Sequence, residues 1–323
     1  MDGNAGYRQS QPGPAASPWA QHAERGSVLL LRAMSWVSLR LGRRLSRSIL
    51  YGIAAYFFLF APRARRHARE YLRRVLGRTA APIDRYRQLF AFAATIHDRV
   101  YLLNGRFELF DISIDGEALV QAARAQGGGA LLIGAHLGSF EVTRAFGQRQ
   151  TGLEIAMAMY AANARKINAA LAAISPRPKM DIIELGHMSA MLAIRARLAA
   201  GSFVGMMGDR TLGDEPVEHV MFLGAPAPFP LGPMRAAAML RCPVCFMAGF
   251  YLGGNRYHIV FEQVADFSAP NSGTDSHAIS AAVRAYVAVL ERHCRRFPYN
   301  WFNFLDFWRA QPAGAPDAAG SSE

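Results

Sequence analysis

From about residue 85 onward, short apolar runs alternate with stretches of helical period. "DRYRQLFAFAATIHDRVYLLNGR" predicts an amphipathic helix that closes near Asn104–Gly105. "GALLIGAH" then predicts a strand and "SFEVTRAFGQR" a helix; "LEIAMAMY" and "NARKINAALAAI" repeat the pair, as do "MDIIELG" and "MSAMLAIRARLAAG". "SFVGMMGD" predicts a buried strand and "PMRAAAMLR" a helix. "PVCFMAGFYLG" and "RYHIVFEQV" follow as strands joined by a turn at Gly253–Asn255, and "SHAISAAVRAYVAVLERHCRRF" is a long closing helix. This alternation predicts an α/β domain over residues 81–310, with a mostly parallel central sheet flanked by helices.

The section before it, residues 19–80, has another character. Arg40, Arg43, Arg44 and Arg47 fall at i, i+3, i+4 and i+7, one helical face, with Trp36, Leu39, Leu41, Leu45 and Ile49 around the rest. "ILYGIAAYFFLFA" then runs uncharged from Ile49 to Ala61, short of the roughly 20 apolar residues of a spanning helix. Seven arginines follow between Arg63 and Arg78. An apolar plug between arginine-rich helices predicts a helical element lying in the headgroup layer of an anionic membrane. A helical hairpin packed on the main domain, with its arginines solvated, has the same pattern. Residues 1–18 and 311–323, rich in Ala, Gly, Pro and Ser, are expected to be disordered tails.

The formal net charge of +12 calls for an acidic partner, and no recognisable nucleic-acid module accompanies it. The expected partners are therefore an anionic membrane surface and an acidic carrier protein. Three cysteines do not make a disulfide framework. Cys242 and Cys245, three apart on a strand, face opposite sides, so no metal site is expected there. Gly127–Gly129 lacks the G-K-[ST] of a phosphate loop. The His97–Asp98 pair is expected to be solvated or capping, and "WFNFLDFW" to be a packing or interfacial cluster.

Reactive groups in such sheets gather at the carboxyl ends of strands, where His136 and Asp209–Arg210 stand. Gly134 and Gly138 flank the turn after His136 and allow close backbone approach. Ser139 is placed to cap the next helix, with Glu141 in its first turn. A Glu141 carboxylate holding one imidazole nitrogen makes the other a proton acceptor, so His136 and Glu141 can act as a general-base pair on a hydroxyl. With no G-x-S-x-G elbow, direct attack by a bound acceptor on an activated acyl group is favoured; Ser139 is an alternative covalent nucleophile. A strand-end histidine satisfied by backbone fits the same spacing.

Three blocks occur together and in order. "GGGALLIGAHLGSFEVTRAF" resembles the H-x4-D/E block of the lysophospholipid acyltransferase superfamily, in the branch of the bacterial lipid A secondary acyltransferases. "VGMMGDR" resembles its second block and "FLGAPAPFPLGPMRAAAMLRCPV" its third, and the basic, apolar start is similar to that branch's membrane anchor. The resemblance implies His136 as general base with Glu141 as its orienting partner. It places Asp209 and Arg210 at the acceptor or head-group site and Gly232 beside the acyl groove. Asn163 and Arg165 correspond to an Asn/Arg element nearby. Ser139 stands where Asn is common, Leu231–Gly232–Pro233 replaces the usual third-block ending, and "YNWFNFLDFW" differs from the lipid A enzymes' ending.

The expected activity is therefore O-acyl transfer at the cytoplasmic face of a bacterial inner membrane, by a peripheral or monotopic enzyme. A fatty or polyene-type acyl group moves from acyl carrier protein, or from acyl-CoA, to a lipid or glycolipid hydroxyl. No metal or organic cofactor is needed. The rival readings are a thioesterase or lipid hydrolase using the same pair on water, and a non-catalytic membrane-surface protein.

Overall fold

Leu131–Gly134 form β2 at the middle of a seven-stranded sheet, where every side chain is buried from both faces. A strand enclosed in this way carries a continuous apolar run rather than an alternating one. The computed structural model describes residues 18–308 except 126, 151–154, 176–180, 212–214 and 270–271. The expected tails fall outside the described residues apart from Pro18.

Strand order is β1-β9-β8-β2-β5-β3-β4, with β1 Asp111–Asp115, β3 Ile155–Tyr160, β4 Ile182–Leu185, β5 Phe203–Met207, β8 Pro243–Gly253 and β9 Arg256–Asp266. β8, β2, β5, β3 and β4 are mutually parallel. β9 returns antiparallel on β8 through the Gly253 turn, and β1 adds parallel to β9. The α/β class and the dominance of parallel pairing follow the periodicity. Helices cover both faces. Leu131 and Ile133 point to the side of α7 Met188–Ala199, α8 Gly232–Leu240 and α9 Ser276–Arg296; Leu132 points to α3 Pro82–Leu103, α4 Glu117–Ala125 and α5 Phe140–Gln150. α6 Ala161–Ile174 links β3 to β4.

Three strands escape the periodicity. β6 Val217–Phe222 and β7 Ala225–Pro230 form a separate antiparallel pair, although β7 reads A-P-A-P-F-P. Proline cannot donate to a ladder, and a two-stranded ribbon leaves each strand an outer edge where no donor is needed. β1, the alternating D-I-S-I-D, is likewise too short and too closely flanked by charge for the pattern to mark it.

α1 Pro18–Phe60 breaks at Gly42 (φ 75°, ψ 164°), and α2 Pro62–Leu76 turns 94° from α1's outer part. α2 is not an appendage: Tyr71, Leu72 and Val75 enter the main core. The basic face of α1 also divides. Arg43 turns inward to grip Asp98 through Nε (2.8 Å) and Nη2 (2.9 Å), and Arg47 reaches the Tyr251 hydroxyl. Arg40 and Arg44 stay exposed. The four arginines thus do not form one lipid-facing row. His97 and Asp98, expected at the surface, are buried. Tyr257 donates its hydroxyl hydrogen to Asp98 at 2.8 Å, and Ser46 Oγ lies 2.8 Å from His97 Nε2. A wholly buried carboxylate persists because Arg43 and Tyr257 both bond it.

Candidate active site

Register brings the reactive groups together. In the parallel pair β2/β5, Gly134 lies opposite Met207. His136 and Asp209 each stand two residues further on, so adjacent strands deliver them side by side over the carboxyl edge of the sheet. His136 Nδ1 lies 2.9 Å from Asp209 Oδ1, and the His136 backbone N–H donates to Oδ2, also at 2.9 Å. Asp209 is fully buried while the His136 side chain is 34 % exposed. Burial works to raise the Asp209 carboxyl, but His136, its hydrogen bonds and Arg210 outweigh it and hold the group below the ordinary carboxylate range. An ionised Asp209 accepts from Nδ1–H, which leaves Nε2 as the free proton acceptor.

The third member comes from the far end of the chain. Trp301, fully buried, donates its indole N–H to Asp209 Oδ2 at 3.2 Å. Its segment is laced to the turn that carries His136: Phe302 N–H donates to His136 O at 2.7 Å, Gly138 N–H to Asn300 O at 2.8 Å, and Leu137 bridges to Trp301. Gln88 of α3 donates to Trp301 O at 2.6 Å, and the Asn300 side chain pairs with both backbone groups of Tyr251 on β8. The turn itself needs glycine. Gly138 has φ 74°, and a Cβ there would stand 2.2 Å from Gly249 O.

Glu141 is elsewhere. It opens α5 as expected, but its Oε1 lies 2.9 Å from Arg99 Nε on α3, and Oε2 is buried without a hydrogen-bond partner. The carboxylate on the imidazole is Asp209, so the expected contact between His136 and Glu141 is not made. A fully buried carboxylate engaged with His136 and Trp301 has no face for an acceptor. Loop geometry explains the change: the turn at Gly138 and Ser139 sends α5 toward α3, whereas β5 ends in register with β2.

Arg210 lies beside the pair, with Nη2 3.4 Å from Phe302 O and its Nε unpartnered. Burial pulls its guanidinium down from the ordinary arginine range, against the attraction of Asp209. Ser139 is buried, with its backbone N–H held by Gly249 O at 2.7 Å, so it presents no open hydroxyl to an acyl donor. Asn163 and Arg165 are exposed in the first turns of α6, and Gly232 is exposed at the start of α8. Asn163 and Arg165 follow the carboxyl end of β3 and Gly232 follows the β6–β7 ribbon, and none has a described contact to His136 or Asp209. Beneath the turn a small void of about 20 Å³ is lined by Leu137, Phe140, Met157, Met206, Met207 and Met247.

This geometry, a partly open histidine on a buried carboxylate at the carboxyl edge of an α/β sheet, coincides with a family match. The model of the bacterial lipid A biosynthesis acyltransferases matches residues 15–310, nearly the whole chain. The chain belongs to this family. It is thereby an acyltransferase-family protein, whose reaction class involves an acyl donor and a lipid acceptor. No curated protein matches the chain. The basic, apolar start of this acyltransferase-family chain lies within the matched span. Among the described residues no single helix is long and apolar enough to cross a membrane, whereas the bent pair Leu31–Phe60 and Pro62–Leu76 is so when taken together. Sequence reasoning missed Trp301 and the place of Asp209. The register of "LLIGAH" against "FVGMMGD" was the available signal for Asp209; for Trp301 it was only that a buried indole needs an acceptor.

Proposed function

We propose that the chain is a membrane-associated O-acyltransferase in which His136 is the general base and Asp209 its orienting carboxylate. The observation that carries this reading is the 2.9 Å contact between a partly exposed imidazole and a wholly buried carboxylate. Nε2 of His136 takes the proton of an acceptor hydroxyl while that oxygen attacks the thioester carbonyl. Asp209 stabilises the imidazolium that forms. The tetrahedral oxyanion then collapses, the C–S bond breaks, and the imidazolium returns its proton to the departing thiolate. The Gly138 and Ser139 N–H groups are already bonded to carbonyls, which leaves the Arg210 guanidinium as the charge beside the oxyanion.

The donor is a fatty or polyene-type acyl thioester of acyl carrier protein, whose acidity suits a chain of net charge +12; acyl-CoA is the second donor. The acceptor is a lipid or glycolipid hydroxyl. Residues 19–80 form the membrane-associating section and residues 81–310 the catalytic domain, at the cytoplasmic face of a bacterial inner membrane. Exposed Trp36, Leu45, Phe57, Leu59 and Phe60, among exposed arginines such as Arg40, Arg44 and Arg63, suit an element lying in the headgroup layer. Asn163, Arg165 and Gly232 belong to the rim of the substrate cleft.

The deciding experiment is lipid mass spectrometry of a null strain expressing the wild type, His136→Ala or nothing. A lipid gaining one acyl group only with the wild type supports the reading. Identical profiles overturn it, and free fatty acid released without an acylated product points to a hydrolase.

A further inference from the structure

The segment that follows the last helix lies against the turn that carries His136. Its central residue is a tryptophan with no exposed surface whose indole N–H ends on Asp209 Oδ2, the oxygen that also takes the His136 backbone N–H. The other oxygen, Oδ1, is thereby left for the imidazole. The backbone on either side of Trp301 holds the catalytic turn at two points, His136 O and Gly138 N–H. The indole is itself wedged by Tyr71 of α2, Phe222 of β6, Phe307 and Trp308. One residue thus fixes the carboxylate by its side chain and borders the histidine loop by its backbone.

We propose that Trp301 is a positioning residue for the acyl transfer: its indole N–H sets the orientation of Asp209, and through it the imidazole of His136. The inference rests on the reading of His136 and Asp209 as base and orienting carboxylate. A neutral donor on Oδ2 turns the carboxylate plane so that Oδ1 meets Nδ1. It also draws electron density from the group, which weakens Asp209's hold on the imidazolium and eases return of the proton to the leaving thiolate. The other titratable groups acting on Asp209 are Arg210, Tyr286 and Cys294, with Tyr71 against the indole face; none of the last three donates to the carboxylate in the described residues.

Replacing Trp301 by β-(3-benzothienyl)alanine keeps the ring shape and removes only the N–H. The measurement uses the full chain in detergent, with fatty acyl thioesters of acyl carrier protein and a lipid extract of bacterial inner membrane. The expected variant melts with the wild type. Its kcat falls about 10–100-fold, the range for losing a group that orients a primary ligand or base. The acid limb of its kcat/KM profile moves to higher pH, because a carboxylate relieved of one donor holds the imidazolium more tightly. Unchanged kcat and profile overturn the inference, as does a lowered kcat with no movement of the limb, which is the mark of a merely structural residue.

A second readout needs no substrate. The Trp301 indole ¹H–¹⁵N resonance is expected to shift with pH in the wild type and to stop doing so in His136→Gln. An indole resonance indifferent to pH overturns the coupling. If His136→Ala keeps full activity, the reading of His136 as general base fails and the resonance alone decides whether Trp301 and the pair are linked.

Discussion

Glu141 is bound to Arg99, with Nε and Oε1 2.9 Å apart, and not to the histidine five residues before it. The two acidic residues nearest the site in sequence logic therefore have separate tasks. Asp209→Asn should lower kcat by roughly 10²–10⁴-fold, since the amide cannot stabilise an imidazolium and favours the wrong tautomer. Glu141→Gln should lower kcat by less than about 10-fold and leave the pH profile in place, because its loss is felt on the α3–α5 contact. Steady-state rates and pH profiles of the two variants check this; a Glu141→Gln enzyme as inactive as Asp209→Asn would return Glu141 to the imidazole.

Arg43 and Asp98 fasten the amino-terminal helix to the domain. Removing one partner of a buried pair leaves an uncompensated charge, so Arg43→Ala should cost about 3–5 kcal/mol. Asp98→Asn combined with Arg43→Met should restore a good part of that. Urea unfolding of the wild type and the two variants measures it, and a loss below about 1 kcal/mol in Arg43→Ala would show that the contact is not formed in solution.

Asp84 sets an acid limit on stability. Arg78 draws its carboxyl down to about 2, with Tyr299 and the Ala81 N–H helping against burial. A depressed folded-state value means stability that is complete above the unfolded carboxylate range near 4 and is lost as pH falls through about 2. Between pH 5 and 2, wild type should therefore lose more stability than Asp84→Asn, whose curve lacks this component. Thermal melts across that window test the difference; parallel curves would contradict it.

Gly138 leaves no room for substitution. With φ 74° and the Gly249 carbonyl 2.2 Å from where a Cβ would sit, Gly138→Ala must push the turn off β8. Activity should fall at least about 100-fold, since displacement of a catalytic group by about 1 Å has that cost. An alanine variant of normal rate would mean that His136 is not held by this turn.

Apolar tips should govern membrane affinity. Phe57→Asp with Phe60→Asp is expected to weaken flotation with anionic vesicles of phosphatidylglycerol, and salt should weaken what remains, while the thermal midpoint changes little because both side chains are exposed. Undiminished flotation would remove the α1 tip from the docking surface.

The parallel sheet was legible because its strands carry unbroken apolar runs between helices of clear period, and His136 stood out as the polar end of the most apolar of them. Its partner was harder to see. Spacing along the chain favoured Glu141, whereas pairing across strands chose Asp209, and cross-strand register is fixed by tertiary packing rather than by any local pattern. The inward contacts of Arg43 and Arg47 are hidden for a similar reason: periodicity identifies a face but not what that face meets. β7 was hidden by its prolines, which are tolerated only because its outer edge is free.

The bracing of the histidine by a segment beyond the last helix also sets an order of events during synthesis. α1 and α2 precede β2 and its histidine in the chain and are made before them. Trp301 follows β2 and β5 in the chain, so the contacts around the His136 imidazole are complete only once the segment after α9 has been made.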